Sequence, residues 1–155
     1  MRRWPVGAAE IEDMLERGSL ERVRPNTFHA DHLLSQAALD LTTSQAMAQT
    51  NPTRAYEALY ECLRGSVGGL LAVQGLRVTR DGGHVAYVEV LRHQTGQDDD
   101  ADFFHEMRQR RNELQYPTES TMSVVADEVL ERVTRVSDIA AKIRQLLESS
   151  GIGQF

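Results

Sequence analysis

The chain has 155 residues, 41% of them hydrophobic, and a formal net charge of -6. These values fit one globular domain with its own core, and they exclude a protein that binds nucleic acid through overall positive charge. Any contact with RNA or DNA therefore requires a local basic patch. Aromatic residues make up only 6%, and a core of Leu, Val, Ala and Ile favours helices over strands.

Cysteine content and hydropathy point to an intracellular protein. The single cysteine, Cys62, cannot form an intramolecular disulfide, which is typical of a reducing compartment. No apolar run approaches the length of a membrane span, and no apolar stretch follows the basic N-terminus. We therefore expect a cytoplasmic protein with no membrane partner.

The N-terminal third predicts two helices separated by a break. The first covers about residues 8–17 and ends near Gly18, and the break at 24–27 contains a proline. The second covers about residues 31–49. The apolar residues expected to face inward are Ile11, Met14 and Leu15 on the first helix, and Leu33, Leu34, Ala37, Ala38 and Leu41 on the second.

The third predicted helix begins at Pro52, with Asn51 as its N-cap. Gly65, Gly68 and Gly69 interrupt it, and each weakens a helix by roughly 1 kcal/mol. Close backbone packing against a partner helix would offset that loss. Its inward stripe is Tyr56, Leu59, Leu63, Val67 and Leu70.

The C-terminal half predicts a loop at 77–83 and three more helices, at about residues 84–93, 98–114 and 120–148. The acidic run that opens the helix at 98 suits the positive end of a helix dipole, and it lacks the spacing of a calcium loop. No segment shows convincing strand alternation. Apolar residues repeat at steps of three and four along the last helix: Met122, Val125, Val129, Val133, Val136, Ala140, Ile143 and Leu147.

Together these elements predict an all-α protein, an antiparallel up-and-down helix bundle. Residues 1–50 would supply N-terminal helices that pack on a core formed by residues 51–150, with the whole chain as one domain. The final helix has more apolar length than one small bundle covers, which favours a homodimer.

Residues 105–116 hold the densest polar chemistry of the chain. Arg110 and Arg111 lie beside the apolar side of the predicted helix, where a lone buried charge is costly and requires a partner or a ligand. Four other polar residues share one face at steps of three and four. These residues are His105, Arg108, Asn112 and Tyr116.

Two interpretations of this stretch are open. In the first, Arg108, Arg110 and His105 bind phosphate, because guanidinium groups match phosphate oxygens bidentately; Asn112 orients Arg111 or contacts a base or ribose. In the second, the arginines form structural ion pairs with Glu or Asp on neighbouring helices. A metal site is not predicted, because two histidines near a helix start, His29 and His32, lack further ligands.

The order of elements from Pro52 to Leu147 resembles the HEPN superfamily (higher eukaryotes and prokaryotes nucleotide-binding domain). The resemblance rests on a third helix rich in Ala, Leu and small residues, the junction at 82–84, the triplet at 110–112, the dipeptide at 116–117 and the long closing helix. It implies a HEPN-like four-helix core with extra N-terminal helices.

The resemblance also implies function. In HEPN ribonucleases an arginine, a following polar residue and a histidine about five residues on meet in a cleft at the dimer interface and cut RNA. This chain supplies Arg111 and Asn112 but has Tyr116 in place of the histidine. A phenol with a pKa near ~10 transfers protons poorly at neutral pH. The implied catalytic residues are Arg111, Asn112 and Tyr116.

Two functions follow as hypotheses. The first is a protein that acts on or binds RNA. If it is an enzyme, it is a metal-independent ribonuclease. It would be the toxin-type member of a toxin–antitoxin or defence pair, with an antitoxin-type protein partner. The second is a non-catalytic dimeric module that binds a nucleotide or a protein. Neither hypothesis requires a cofactor.

Overall fold

The computed structural model describes residues 2–155. Six helices pack around one hydrophobic cluster, and a small two-stranded sheet lies against them. The predicted helical character is confirmed. In chain order the elements are α1 (Ala8–Glu16), β1 (Leu20–Arg22), α2 (Thr27–Met47), α3 (Pro52–Gln74), β2 (Leu76–Val78), α4 (Gly83–Thr95), α5 (Asp98–Gln115) and α6 (Ala126–Ser150).

Helix α3 is the central element, and its predicted start and stripe are confirmed. Asn51 caps it by accepting a hydrogen bond from the Arg54 backbone N–H at 3.3 Å, and Pro52 occupies the first turn. Helices α2, α4, α5 and α6 all contact it. All five residues of the predicted stripe are buried: Tyr56, Leu59, Leu63, Val67 and Leu70.

The glycines of α3 allow α2 to pack closely, as their spacing predicts. A Cβ atom built on Gly69 would lie 2.9 Å from Cγ of Leu34, which is closer than carbon atoms tolerate. One built on Gly65 would lie 3.5 Å from Cβ of Ala37. The backbones of the two helices therefore approach where α3 carries no side chain.

Two helix starts differ from the sequence-based expectation. Helix α2 begins one turn earlier than residue 31, because the Asn26 side chain accepts a hydrogen bond from the backbone N–H of His29 at 2.8 Å and caps it. Helix α6 begins at Ala126 rather than near 120. The Thr121 hydroxyl accepts from the backbone N–H of Thr118 at 2.8 Å, and such local bonds compete with a helical turn.

The late start of α6 changes which predicted residues join the core. Met122 and Val125 lie outside the helix and are 76% and 59% exposed, so their assignment to the inward stripe is wrong. Within α6 itself, the predicted inward stripe is confirmed. Val129, Val136, Ala140 and Ile143 are all buried.

The two strands were not expected, and residues 77–78 belong to one of them rather than to a loop. Strand β1 pairs antiparallel with β2, with Leu20 opposite Val78 and Arg22 opposite Leu76. Leu20 and Leu76 are buried, which fixes the sheet to the helices. Three-residue strands are too short to show a period of two, and the partners lie far apart in sequence.

The up-and-down arrangement, the HEPN-like core and the division near residue 50 stay predictions. Ile11 and Met14 of α1 belong to the same buried cluster as α3 and α6. No helix within residues 2–155 combines the length and apolar character needed to cross a membrane.

Replacing Gly69 with valine tests the α2–α3 contact. We expect Gly69→Val to lower the free energy of unfolding by about 1–3 kcal/mol, because the new side chain must displace Leu34 in a packed interface. Denaturant unfolding followed by circular dichroism measures this. Ala141→Val, at an exposed position of α6, adds the same branched side chain and should cost less than about 0.5 kcal/mol. Equal losses in the two variants would contradict the close packing.

Candidate functional site

Arg111 projects from α5 onto the side of α3. Its guanidinium carbon lies 5.3 Å from the centroid of the Tyr60 ring, the distance of a cation–π contact. Among residues 2–155, Arg111 makes no ion pair with an acidic side chain. The structural ion pair that the sequence left open is therefore not formed at this position, and the charge stays available to a ligand.

Arg110, the preceding residue, is placed differently. Its Nε and Nη2 donate to the two carboxylate oxygens of Glu128 on α6 at 2.9 and 3.2 Å, and Nη1 lies 3.5 Å from Glu113. Its side chain is 16% exposed. This fork holds the end of α5 to the start of α6, as the structural ion pair of the second interpretation would; phosphate binding by Arg110 stays a prediction.

The ring beneath Arg111 belongs to a partly buried hydrogen-bonded pair. The Tyr60 hydroxyl lies 2.6 Å from Nδ1 of His84, and the two rings stack with centroids 5.6 Å apart. Burial raises the pKa of Tyr60 to about 12, so its hydroxyl keeps its proton at neutral pH. With the hydroxyl as donor and Nδ1 as acceptor, the imidazole carries its own proton on Nε2.

The pKa of His84 is lowered from its ordinary value of 6.5, first by burial and then by the positive charge of Arg111 and Arg64. The imidazole is therefore neutral at pH 7. A neutral imidazole donates through one nitrogen and accepts through the other, so it can contact a phosphate, a hydroxyl or a base edge.

Arg108 adds a second guanidinium group one turn before Arg111. Its Nε atom is buried and has no hydrogen-bond partner among the described residues. A buried donor without an acceptor costs about 1–3 kcal/mol. Its charge also contributes to the lowered pKa of His84. We call Tyr60, His84, Arg108 and Arg111 the Arg111 cluster.

The other predicted site residues on α5 lie outside this cluster. Tyr116 ends the helix, its backbone N–H donates to the Asn112 carbonyl at 3.0 Å, and its side chain is 77% exposed. Within residues 2–155, no side-chain hydrogen bond or ring contact connects Asn112, Tyr116 or His105 with Tyr60 or His84. Tyr116 therefore does not contact the ring pair beneath Arg111, whereas His84 is part of that pair.

Two members of the cluster, Tyr60 on α3 and His84 on α4, were not among the site residues predicted from the sequence. The signal available in the sequence was only the junction at 82–84, where α4 begins. What makes His84 part of a site is the packing of α4 beside Arg111, which no spacing along the chain encodes.

A second aromatic and basic pair continues the cluster along α3. The His84 ring lies 6.4 Å from the ring of Tyr87, and the Arg64 guanidinium lies 5.9 Å from the same tyrosine ring. Arg64 also donates from Nε to Glu61 at 2.8 Å. Three neighbouring rings, those of Tyr60, His84 and Tyr87, thus have one guanidinium group at each end, Arg111 at Tyr60 and Arg64 at Tyr87.

No protein-family model, curated protein or solved structure matches this chain. Among residues 2–155, no group of three or more His, Cys, Asp or Glu side chains is arranged to hold a metal ion.

Proton NMR titration of His84 tests the electrostatics of the cluster. We expect its pKa in the folded protein to lie below 6.5 and to rise in Arg111→Gln, because a nearby positive charge is removed. A His whose folded pKa is lowered contributes stability above pH 6.5, and that contribution is lost as the pH falls through the lowered pKa. The melting temperature of the native chain should therefore fall on acidification more than that of His84→Gln.

The matched control for the charge effect is Arg54→Gln, which removes a surface arginine from the first turn of α3. It should leave the His84 titration unchanged. A folded-state pKa at or above 6.5, or an equal shift in both arginine variants, would contradict the arrangement described.

Proposed function

We propose that the Arg111 cluster binds the phosphate backbone of RNA. The observation that carries the proposal is Arg111 itself, a guanidinium group without an acidic partner that lies over the Tyr60 ring. A planar guanidinium offers paired donors to phosphate oxygens. The acidic net charge is compatible with this function because recognition is confined to one patch.

Each member of the cluster has a role in this proposal. Arg111 contacts two phosphate oxygens, and the positive charge of Arg108, one turn earlier on α5, attracts the same or the next phosphate. His84 donates from Nε2 to phosphate or ribose, while the Tyr60 hydroxyl holds its ring in place. The proposal retains the HEPN-like assignment of Arg111 and replaces Tyr116 with His84 as the second polar contact.

A second candidate function is metal-independent RNA cleavage, favoured by the neutral imidazole beside Arg111. It requires the other tautomer, in which Nδ1–H donates to the Tyr60 oxygen and Nε2 is free. Nε2 would then accept the 2′-hydroxyl proton while that oxygen attacks the adjacent phosphorus. The 5′-oxygen would leave with a proton from water, giving a 2′,3′-cyclic phosphate and a 5′-hydroxyl, with Arg111 stabilising the charged transition state.

We also propose that two copies of the chain pair beside this site. The segment after α5 exposes Tyr116, Met122 and Val125, and the first turns of α6 expose Leu130. These apolar side chains lie next in sequence to the arginines of α5. An exposed apolar patch of this kind is typical of an interface.

Binding of a fluorescent RNA, measured by anisotropy, tests the RNA proposal. We expect Arg111→Ala to weaken binding about tenfold or more, because a charge-assisted phosphate contact is worth roughly 1.5–3 kcal/mol. Its melting temperature should change little, since Arg111 makes no ion pair. Arg110→Ala, the matched control, should show the reverse, a lower melting temperature and near-native affinity, because it breaks the Glu128 fork.

Equal RNA affinity in the native chain and in Arg111→Ala would contradict the RNA proposal. The length of the RNA after incubation decides between binding and cleavage. Cleavage that disappears in His84→Gln would support the second candidate. Intact RNA with the native chain would leave a binding protein and exclude catalysis on that RNA.

Light scattering tests the dimer. The native chain should have twice the mass of one chain at micromolar concentration, and Met122→Asp combined with Val125→Asp should reduce it to the monomer mass by placing charge in an apolar contact. Leu39→Asp, at a position 57% exposed on α2, is the control and should stay dimeric. A monomeric native chain would remove the proposed interface.

A further inference from the structure

A groove on the same side of α3 is lined by basic and apolar residues. It lies between the start of α2, the middle of α3, the strand β2 and α4, and its volume is about 490 Å³. This size is within the range of sites for small ligands, about 300–1,000 Å³. Its lining includes Arg24, Arg64 and Arg77, together with Leu33 and Leu71, which we call its floor, and Tyr87, which we call its wall.

The charge of the groove is opposite to that of the chain. Its lining includes three arginines and His29, and no carboxylate, in a protein of net charge -6. Arg77 and Arg64 are each paired with a glutamate outside the groove lining, Glu21 and Glu61. Arg24 makes no ion pair among residues 2–155. The excess of basic over acidic side chains in the lining favours an anionic ligand.

The apolar side chains of the floor and the aromatic ring of the wall favour a ligand that also has a flat apolar part. Gly65 and Gly68 of α3 line the groove beside Leu33 of α2, whose Cδ1 atom would lie 3.3 Å from a Cβ built on Gly68. The Tyr87 ring stands beside them with Arg64 at 5.9 Å from its centroid. Aromatic rings and guanidinium planes are the surfaces on which nucleobases stack.

The groove is joined to the Arg111 cluster through shared neighbours. Tyr87 lines the groove and its ring lies 6.4 Å from that of His84, which is hydrogen-bonded to Tyr60. A strand that contacts Arg111 and enters the groove would therefore pass His84 and Tyr87.

We propose that this groove holds one nucleotide of a single-stranded RNA whose neighbouring phosphate lies at the Arg111 cluster. The base lies on the apolar floor against Tyr87, and Arg24 contacts its phosphate. The proposal rests on the proposed function and names its substrate class. A duplex is excluded, because a base must leave its pair and stack to enter a groove of this size.

Anisotropy with three labelled probes tests the proposal: an eight-nucleotide single strand, the same sequence as a duplex, and an eight-nucleotide abasic strand, which has the phosphates but no base to enter the groove. The native chain should bind the base-containing single strand about tenfold or more tightly than the duplex. Arg24→Ala and Tyr87→Leu should each weaken binding of the base-containing single strand about tenfold, and Tyr87→Leu should leave binding of the abasic strand unchanged. Arg111→Ala should weaken both. Arg54→Ala removes the same charge from the first turn of α3, outside the groove lining, and should change neither.

Three results would overturn the proposal, and they separate it from the proposed function. If Arg24→Ala and Tyr87→Leu both match Arg54→Ala while Arg111→Ala still weakens binding, the groove is not part of the RNA site, but the Arg111 cluster is. If duplex and single strand bind equally, the substrate class is wrong. If adenosine monophosphate binds in an Arg24-dependent way while no RNA binds, the groove holds a free nucleotide and the RNA function fails.

Discussion

The contact of the Arg111 guanidinium with the Tyr60 ring is the interaction on which the candidate site depends. An arginine on the inward side of a helix normally requires a carboxylate, since burying a lone charge is costly. An aromatic face is a second solution, because guanidinium is weakly hydrated and stacks on rings. It leaves the donors of Arg111 free at the edge of the bundle, which a carboxylate would not.

The positions of the glycines and tyrosines along α3 allow Arg111 to contact the Tyr60 ring. Its glycines let α2 approach on one side, while Tyr56 and Tyr60, one turn apart, present their rings elsewhere. Each ring carries an arginine from another helix, Arg132 of α6 at 5.8 Å and Arg111 of α5 at 5.3 Å. The first arginine is held by the Glu128 carbonyl at 2.9 Å; the second has no such restraint. The same contact between a guanidinium group and a tyrosine ring thus stabilises the fold at Tyr56, whereas at Tyr60 it leaves the guanidinium group free to bind a ligand.

Much of the fold could be predicted from the sequence, because helix periodicity and caps are local signals. The stripe of α3, the Asn51 cap and the packing role of its glycines all follow from spacing. The strands β1 and β2 do not, since they are short and their pairing is decided by distant residues. The early start of α2 and the late start of α6 depended on side-chain hydrogen bonds at Asn26 and Thr121.

The candidate site was predicted only in part. The stretch at 105–116 contains Arg108 and Arg111, and the unusual position of Arg111 on an apolar stripe is visible in the sequence. The sequence does not show which of the adjacent Arg110 and Arg111 pairs with a glutamate, because that choice depends on where α6 begins. His84 is the larger omission. It lies on another helix, and only the packing of α4 against α3 brings it beside Tyr60.

A crystal structure of the chain with a short single-stranded RNA tests the central claim most directly. The account predicts phosphate oxygens at about 3 Å from the guanidinium nitrogens of Arg111, the distance of a charge-assisted hydrogen bond, with the guanidinium still stacked on Tyr60. An Arg111 side chain bound to a carboxylate of a neighbouring copy, with the RNA elsewhere or absent, would contradict it.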